Sequence, residues 1–294
     1  VIGLAIVVGA ALASIAPLGA QARQKAMYVS VLDKQGVPVK TVAPEDLIVR
    51  EDNVAREVLR VEPATDPMQV SLLVDNSEAA RDSIQHMRDG LGPFVNRLTA
   101  AGHSVAFITL GDRPTIQVDM TSDGAQLRSK GVDRLFAQQG SGTYLLEGII
   151  DTTKGIMKNE SPRPVIVALV LEAVEFSNQS YQQVIEALKK SGASFNALIL
   201  DEGRGPDMSS DEVRNRNVVF DRGTRETGGR REQLITKLAI ASTLDKLATD
   251  LLTQHKVTYA SPDRLVPADK ITVAAANKDF VARGVPVKTA PTTR

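Results

Sequence analysis

The sequence predicts an α/β fold: a doubly wound, mostly parallel sheet with a small flanking β module. Three observations carry this expectation. Nearly continuous apolar runs such as Met68–Val74 and Val165–Leu171 have the pattern of strands buried on both faces. Helical periodicities alternate with them, which implies βα units. Aromatic residues make up only 4% of a chain that is 43% hydrophobic, so the core must be built from Val, Ile, Leu and Ala.

From the N-terminus, residues 1–22 carry no charge, and the run VIGLAIVVGAALASIA ends at Pro17 before the small-x-small sequence Ala20-Gln21-Ala22. This pattern reads as an export signal peptide, with an uncleaved membrane anchor as the alternative. In either case the rest of the chain is expected in an extracytoplasmic space, periplasmic or secreted. Residues 23–65 read as an N-terminal β module. It has strands at Tyr28–Leu32, Leu47–Val49 and Val58–Val61, with turns at Asp33–Gly36 and Glu51–Asn53.

The main domain is expected over 66–262. Its first strand, Met68–Val74, ends at Asp75-Asn76-Ser77-Glu78-Ala79 and leads into a helical pattern at Ile84, Met87, Leu91, Val95 and Leu98. Gly90, Gly92 and Pro93 predict a kink there, or two helices in succession. A hairpin over Val105–Leu110 and Thr115–Met120 follows, then a helix around Ala125–Phe136 and the loop Gly140-Ser141-Gly142-Thr143. Helices through Leu145–Ile156 and Gln182–Lys190 flank the strand Val165–Leu171, and Ser194–Leu200 is a further strand. Asp201–Asn217 reads as a polar surface insertion or mobile loop. Arg222, Arg225, Arg230 and Arg231, with Asp221, Glu226 and Glu232, read as a solvated, locally neutral loop. A helix with Leu244, Leu247, Leu251 and Leu252 flows into a strand at Val257–Ala260. Residues 263–294 add short strands at Ile271–Ala275 and Phe280–Val287, then a frayed tail.

Composition excludes several functions. Thirty-five basic and 35 acidic residues balance, so bulk electrostatic binding of nucleic acid is not expected. With no cysteine and three isolated histidines (His86, His103, His255), thiolate chemistry and a histidine-built zinc site lack their material. The glycine loop has neither the Lys nor the spacing of a phosphate loop, and no GxGxxG follows the first strand. A serine hydrolase built on Ser77 would need one of those histidines to arrive by folding.

Ligands of open α/β sheets bind beyond the carboxyl ends of the strands. Three polar clusters lie there: Asp75–Ala79, Gly140–Thr143 and Glu172–Glu175. Their oxygens would suit a hard cation such as Mg²⁺. The order and spacing of these clusters resemble the von Willebrand factor type A family, a Rossmann-like fold. The narrower resemblance is to secreted, Acidobacteria-type bacterial members. Further matching segments are Val31–Val39, Ala43–Leu47, Glu51–Asn53, Glu226–Arg230 and Leu247–Leu252, so the likeness runs over roughly Tyr28–Val287.

The resemblance implies a metal-ion-dependent adhesion site with Asp75, Ser77, Thr143 and Glu172 as metal ligands. Ala79 stands where the family has a ligand Ser, and Glu172 where it has Asp, so the adhesion site is degenerate. The implied cofactor is Mg²⁺ or Mn²⁺, held weakly or not at all. The implied function is non-enzymatic cell adhesion or protein binding, with a protein ligand engaged through an acidic side chain. A metal-independent scaffold, or a hydrolase using Asp75, are the alternatives. A membrane is a partner only if residues 1–22 stay attached. The residues themselves leave a plainer reading open, in which Asp75, Ser77 and Thr143 are helix caps.

Overall fold

The computed structural model describes residues 23–201, 203, 210–263 and 266–288. The expected signal segment 1–22, residues 202 and 204–209 of the expected polar insertion and the tail from 289 lie outside them. No helix among the described residues is long and apolar enough to cross a membrane.

Four strands come first: β1 (Arg23–Asp33), β2 (Leu47–Glu51), β3 (Val54–Arg56) and β4 (Val58–Pro63). Asp52 and Asn53 both adopt positive φ, 49° and 67°, the turn that lets β2 and β3 pair as a tight hairpin. After Pro67, β5 (Gln69–Val74) opens the central unit. A 3₁₀ segment, Glu78–Ser83, runs into α1 (Ile84–Ala100). Of the two expected outcomes, two helices in succession do not occur: one helix passes through Gly90, Gly92 and Pro93. Packing decides this. A Cβ on Gly90 would lie 3.0 Å from Ala241 Cα, so the glycine is where α1 meets a later helix at backbone distance.

β6 (Ser104–Thr109) and β7 (Thr115–Thr121) form the expected hairpin. The helix expected at Ala125–Phe136 is three short turns, Gly124–Gln126, Leu127–Gly131 and Val132–Arg134, with Asp123 capping the first. Then come α2 (Leu145–Lys158), β8 (Pro164–Leu171), α3 (Tyr181–Ser191) and β9 (Ser194–Leu200). The insertion expected over Asp201–Asn217 is corrected over its second half. Ser210 caps α4 (Asp211–Val218), whose Val213 and Arg216 are buried. The arginine-rich stretch is corrected as well: it is not all loop, because Arg231–Leu234 forms β10. Its ion pairs Arg222–Glu226, Arg225–Asp221 and Arg230–Glu232 are present, as expected. The chain closes with α5 (Ile240–Leu252), β11 (His255–Ser261), β12 (Ile271–Ala275) and β13 (Phe280–Pro286).

The central sheet has six strands in the order β10-β9-β8-β5-β6-β7, parallel except for the edge strand β7. Side chains alternate across it. Val165, Val167 and Leu169 face α1 and α5, while Ile166, Ala168 and Val170 face α2 and α3. The connections β5–α1–β6 and β8–α3–β9 leave in opposite directions from the adjacent strands β5 and β8. The crevice between those two strand ends is therefore the topological switch point.

The flanking β structure draws on both ends of the chain. β11 lies between β1 and β4, β13 pairs with β1 in an antiparallel sheet of four, and β12 joins β2 and β3. Its core is Met27, Val29, Val31, Leu47, Val49, Val257 and Tyr259. Two buried charges tie these sheets to their neighbours. Glu51 accepts from Lys25, Arg56 and Ser261. Burial alone would raise the Glu51 pKa, and these partners hold it below the usual value. Arg163, at the start of β8, donates to the carbonyls of Asp66 and Leu251 and to Gln254, and its guanidinium lies 4.6 Å from the Tyr28 ring centre.

Candidate functional site at the switch point

Asp75 follows β5 and is fully buried. Its Oδ1 accepts from the Ser77 amide at 2.8 Å; its Oδ2 accepts from the Thr143 hydroxyl at 2.7 Å and the Leu171 amide at 3.2 Å. The Thr143 hydroxyl is also 3.4 Å from Ser77 Oγ. The structure therefore brings Thr143 onto Asp75 and Ser77, 68 and 66 residues before it in the chain. The capping reading does not hold. Ser77 precedes the 3₁₀ segment but its side chain makes no cap bond, and the residue before α2 is Tyr144 rather than Thr143.

Thr143 is held in place by its backbone. Its amide donates to Val174 O at 3.0 Å, its carbonyl accepts from Phe176 at 2.8 Å, and it bridges to Gly111 on the other side. Gly142 makes this closeness feasible, since a Cβ there would fall 2.4 Å from the Phe176 ring. Glu78, considered in sequence as a substitute ligand, points to the loop instead. Its Oε2 accepts from the Gly140 amide at 2.8 Å and its Oε1 pairs with Arg81. Asn76 clamps two neighbours, accepting from Gly111 N and donating to Phe136 O.

Glu172 stands apart. It is half-buried, its amide donates to Leu200 O, and among the described residues no hydrogen bond joins its carboxylate to Asp75, Ser77 or Thr143. Two further groups belong to this site: Glu175, which sequence reasoning placed in the Glu172–Glu175 cluster without singling it out, and Arg216, which it left in the polar insertion. Glu175 is 2% exposed; its Oε1 accepts from the Ser177 amide, and its Oε2 is buried without a partner among the described residues. Burial raises its pKa to about 7, against the opposing pull of Ser177 and Arg216. Arg216, on α4, is 1% exposed. One of its terminal nitrogens donates to Ala173 O, while Nε and Nη2 are buried without partners among the described residues. Burial lowers its pKa, and the fields of Glu175, Glu172 and Asp75 act the other way. The signal that could have found α4 was Ser210-Asp211-Glu212, a cap followed by two acids, ahead of Val213 and Arg216 three residues apart.

The donors fit a divalent cation poorly. Both Asp75 oxygens are committed to hydrogen bonds, Ala79 offers a methyl group, and a buried guanidinium shares the site. Among the described residues no group of three or more His, Asp or Glu side chains is arranged to hold a metal. Two of the three histidines that a hydrolase built on Ser77 could recruit are engaged elsewhere. His103 Nδ1 accepts from Met68 N, and His255 Nε2 meets Lys40 O. Around the buried cluster three apolar side chains are exposed: Phe136 is 63% exposed, Phe176 49% and Val174 48%. Phe176 packs edge-on against Tyr144, and Arg88 lies over Phe136.

No family model and no curated protein matches the sequence. Solved structures do match by fold. The structure titled "von Willebrand factor type A from Catenulispora acidiphila" aligns with a TM-score of 0.50 at 11% identity, over 93% of this chain and 67% of that one. Proximal thread matrix protein 1 from the mussel byssus, solved with a zinc-occupied MIDAS motif, aligns with a TM-score of 0.50 at 16% identity, over 69% of this chain and 49% of that one. The present chain thus spans about half the length of the byssus protein. Together with the strand order and the switch-point crevice, these likenesses show that the chain has a von Willebrand factor type A-like fold.

Proposed function

We propose that this chain is an exported, non-enzymatic protein-interaction module that binds a protein ligand at the carboxyl end of its central sheet. One observation carries the reading: exposed Phe136, Val174 and Phe176 surround a rigid, hydrogen-bonded floor of Asp75, Ser77 and Thr143. Isolated exposed apolar side chains are ordinary, but three around a switch-point crevice form a contact surface. The fold supports the reading by analogy, since type A domains are commonly interaction modules. Mg²⁺ or Mn²⁺ is at most a weak ligand of this face, and an acidic side chain of the partner is the group that would approach it. Export follows from residues 1–22 and implies cleavage after Ala22, with a periplasmic or secreted product.

The test is site-specific photo-crosslinking in the producing cells. A crosslinker at Phe136 or Phe176 is expected to capture one defined protein, whereas one at Met157, near the far end of α2, captures none. Equal labelling from all three positions would overturn the assignment of the face. Turnover of acyl or phosphoryl reporters that disappears in Asp75→Asn would overturn the non-enzymatic reading. The metal-independent scaffold is favoured by Ala79 and the buried Arg216, and it differs in predicting no capture from any of the three positions.

A further inference from the structure

Buried carboxylates need a counter-charge, because desolvating an unpaired ion is costly. At the switch point, Asp75 is fully buried and Glu175 nearly so. Neither makes an ion pair within 4.0 Å with a Lys or Arg among the described residues, and Asp75 is satisfied by neutral donors. The buried arginines of the described residues are Arg163 and Arg216, and no lysine there is buried. Arg163 lies at the amino end of β8, held by the carbonyls that link the central and flanking sheets, so it cannot serve the carboxyl end. Arg216 is at that end. α4 delivers it under the loop that follows β8, where it donates to Ala173 O, between Glu172 and Glu175 in the chain.

We infer that the Arg216 guanidinium is the resident cation of this strand-end carboxylate cluster and takes the place of a divalent metal. Three features agree. The carboxylates whose fields favour the Arg216 charge are Glu175, Glu172 and Asp75, drawn from two of the three loops at the site. A guanidinium keeps its proton even when buried, so the positive charge is permanent. The donor set agrees: Ala79 supplies no oxygen, and with the guanidinium resident the Asp75 oxygens are satisfied by Thr143, Ser77 and Leu171, donors that a metal would displace only once that charge is removed. A second cation entering here would meet a fixed like charge in a poorly screened interior. The metal requirement of the site is thereby built into the chain as a side chain on α4. This inference concerns the charge at the site and stands whether or not the face binds a protein.

The experiment uses the mature chain with Mg²⁺ or Mn²⁺ alone as the probe. Wild type is expected to show no calorimetric binding at millimolar metal and the same melting temperature in Mn²⁺ as in chelator. Arg216→Met keeps the apolar stem and removes the charge. It is expected to melt lower in chelator, to be restored by Mn²⁺, and to bind Mn²⁺ at least about tenfold more tightly than wild type. Arg216→Lys, retaining the charge, is expected to stay indifferent to metal. If Arg216→Met does not fold, the double variant Arg216→Met with Glu175→Gln, in which the loss of positive charge is matched, is expected to fold, and its failure to fold even with Mn²⁺ present counts against the inference. Millimolar or tighter Mn²⁺ binding by wild type would overturn it, as would an Arg216→Met protein whose melting temperature is independent of metal. Loss of crosslinking with these metal responses intact would instead count against the protein-binding reading alone.

Discussion

Replacing Glu175 by Gln should stabilise the protein at alkaline pH and leave it unchanged in acid. The carboxyl is 2% exposed and burial raises its pKa from 4.5 to about 7; the Ser177 hydrogen bonds and the Arg216 field oppose this rise without cancelling it. A raised pKa means that the folded state binds the proton more tightly than the unfolded chain. The stability contributed by the protonated form is therefore complete below about pH 4.5 and is lost as pH climbs through about 7. At 1.36 kcal/mol for each tenfold change in proton affinity, the loss is about 3 kcal/mol. Gln imitates the neutral acid in shape and does not titrate. Urea denaturation at about pH 8 should therefore give Glu175→Gln a midpoint higher by on the order of 1 M, given a slope of a few kcal/mol per molar. The two curves should converge near pH 4.5. A Gln variant less stable than wild type at alkaline pH would refute the reasoning, because attraction to Arg216 would then outweigh desolvation.

Four other substitutions probe three parts of the structure. Asp75→Ala strands the Ser77 and Leu171 amides and the Thr143 hydroxyl, all bonded to that carboxylate, and should cost about 3 kcal/mol in urea titrations. Thr143→Val, which removes one of these bonds while keeping the shape, should cost about 1 kcal/mol, and equal losses in the two variants would contradict the shared-acceptor geometry. His103 is buried as the neutral ring, with Nδ1 accepting from Met68 N, and burial together with Arg163 lowers its pKa below 6.5. Its contribution is therefore present above pH 6.5 and fades as pH falls toward the lowered folded value; melting curves of His103→Asn, which keeps an acceptor, should lack that acid loss. Gly90→Val would drive a side chain into Ala241 and Leu244 and should cost about 1–3 kcal/mol, with α1 and α5 forced apart.

Much of the central unit was readable in one dimension because its determinants are local. Val165–Leu171 is apolar at every position, and only a strand covered on both faces tolerates that. The polar residues after β5 and the glycine loop were readable as a site because strand ends at a switch point face solvent. Elements stabilised by neighbours were harder to read. β10, Arg231–Leu234, has the composition of a loop and is a strand because the β9 edge offers it hydrogen bonds. α1 stays continuous through Gly90, Gly92 and Pro93 because packing against α5 outweighs the propensity cost of these residues. β11 follows α5 directly, yet its partners are β1 and β4, more than 190 residues away in sequence.

The sequence by itself determined the class of fold, the aliphatic core and the loops that meet at the switch point, since each follows from periodicity or from the polarity of short segments. Tertiary structure alone decided the electrostatics of that meeting place. Only the folded chain turns the Thr143 hydroxyl onto Asp75, leaves Glu172 outside their hydrogen bonds, and buries Glu175 and Arg216 where a cation would otherwise be required. The physical reason is that a charge acquires its meaning from what surrounds it. Arg216 sits in a mostly polar stretch, and its character changes only when α4 packs against the loop after β8 and excludes the water that would have solvated it.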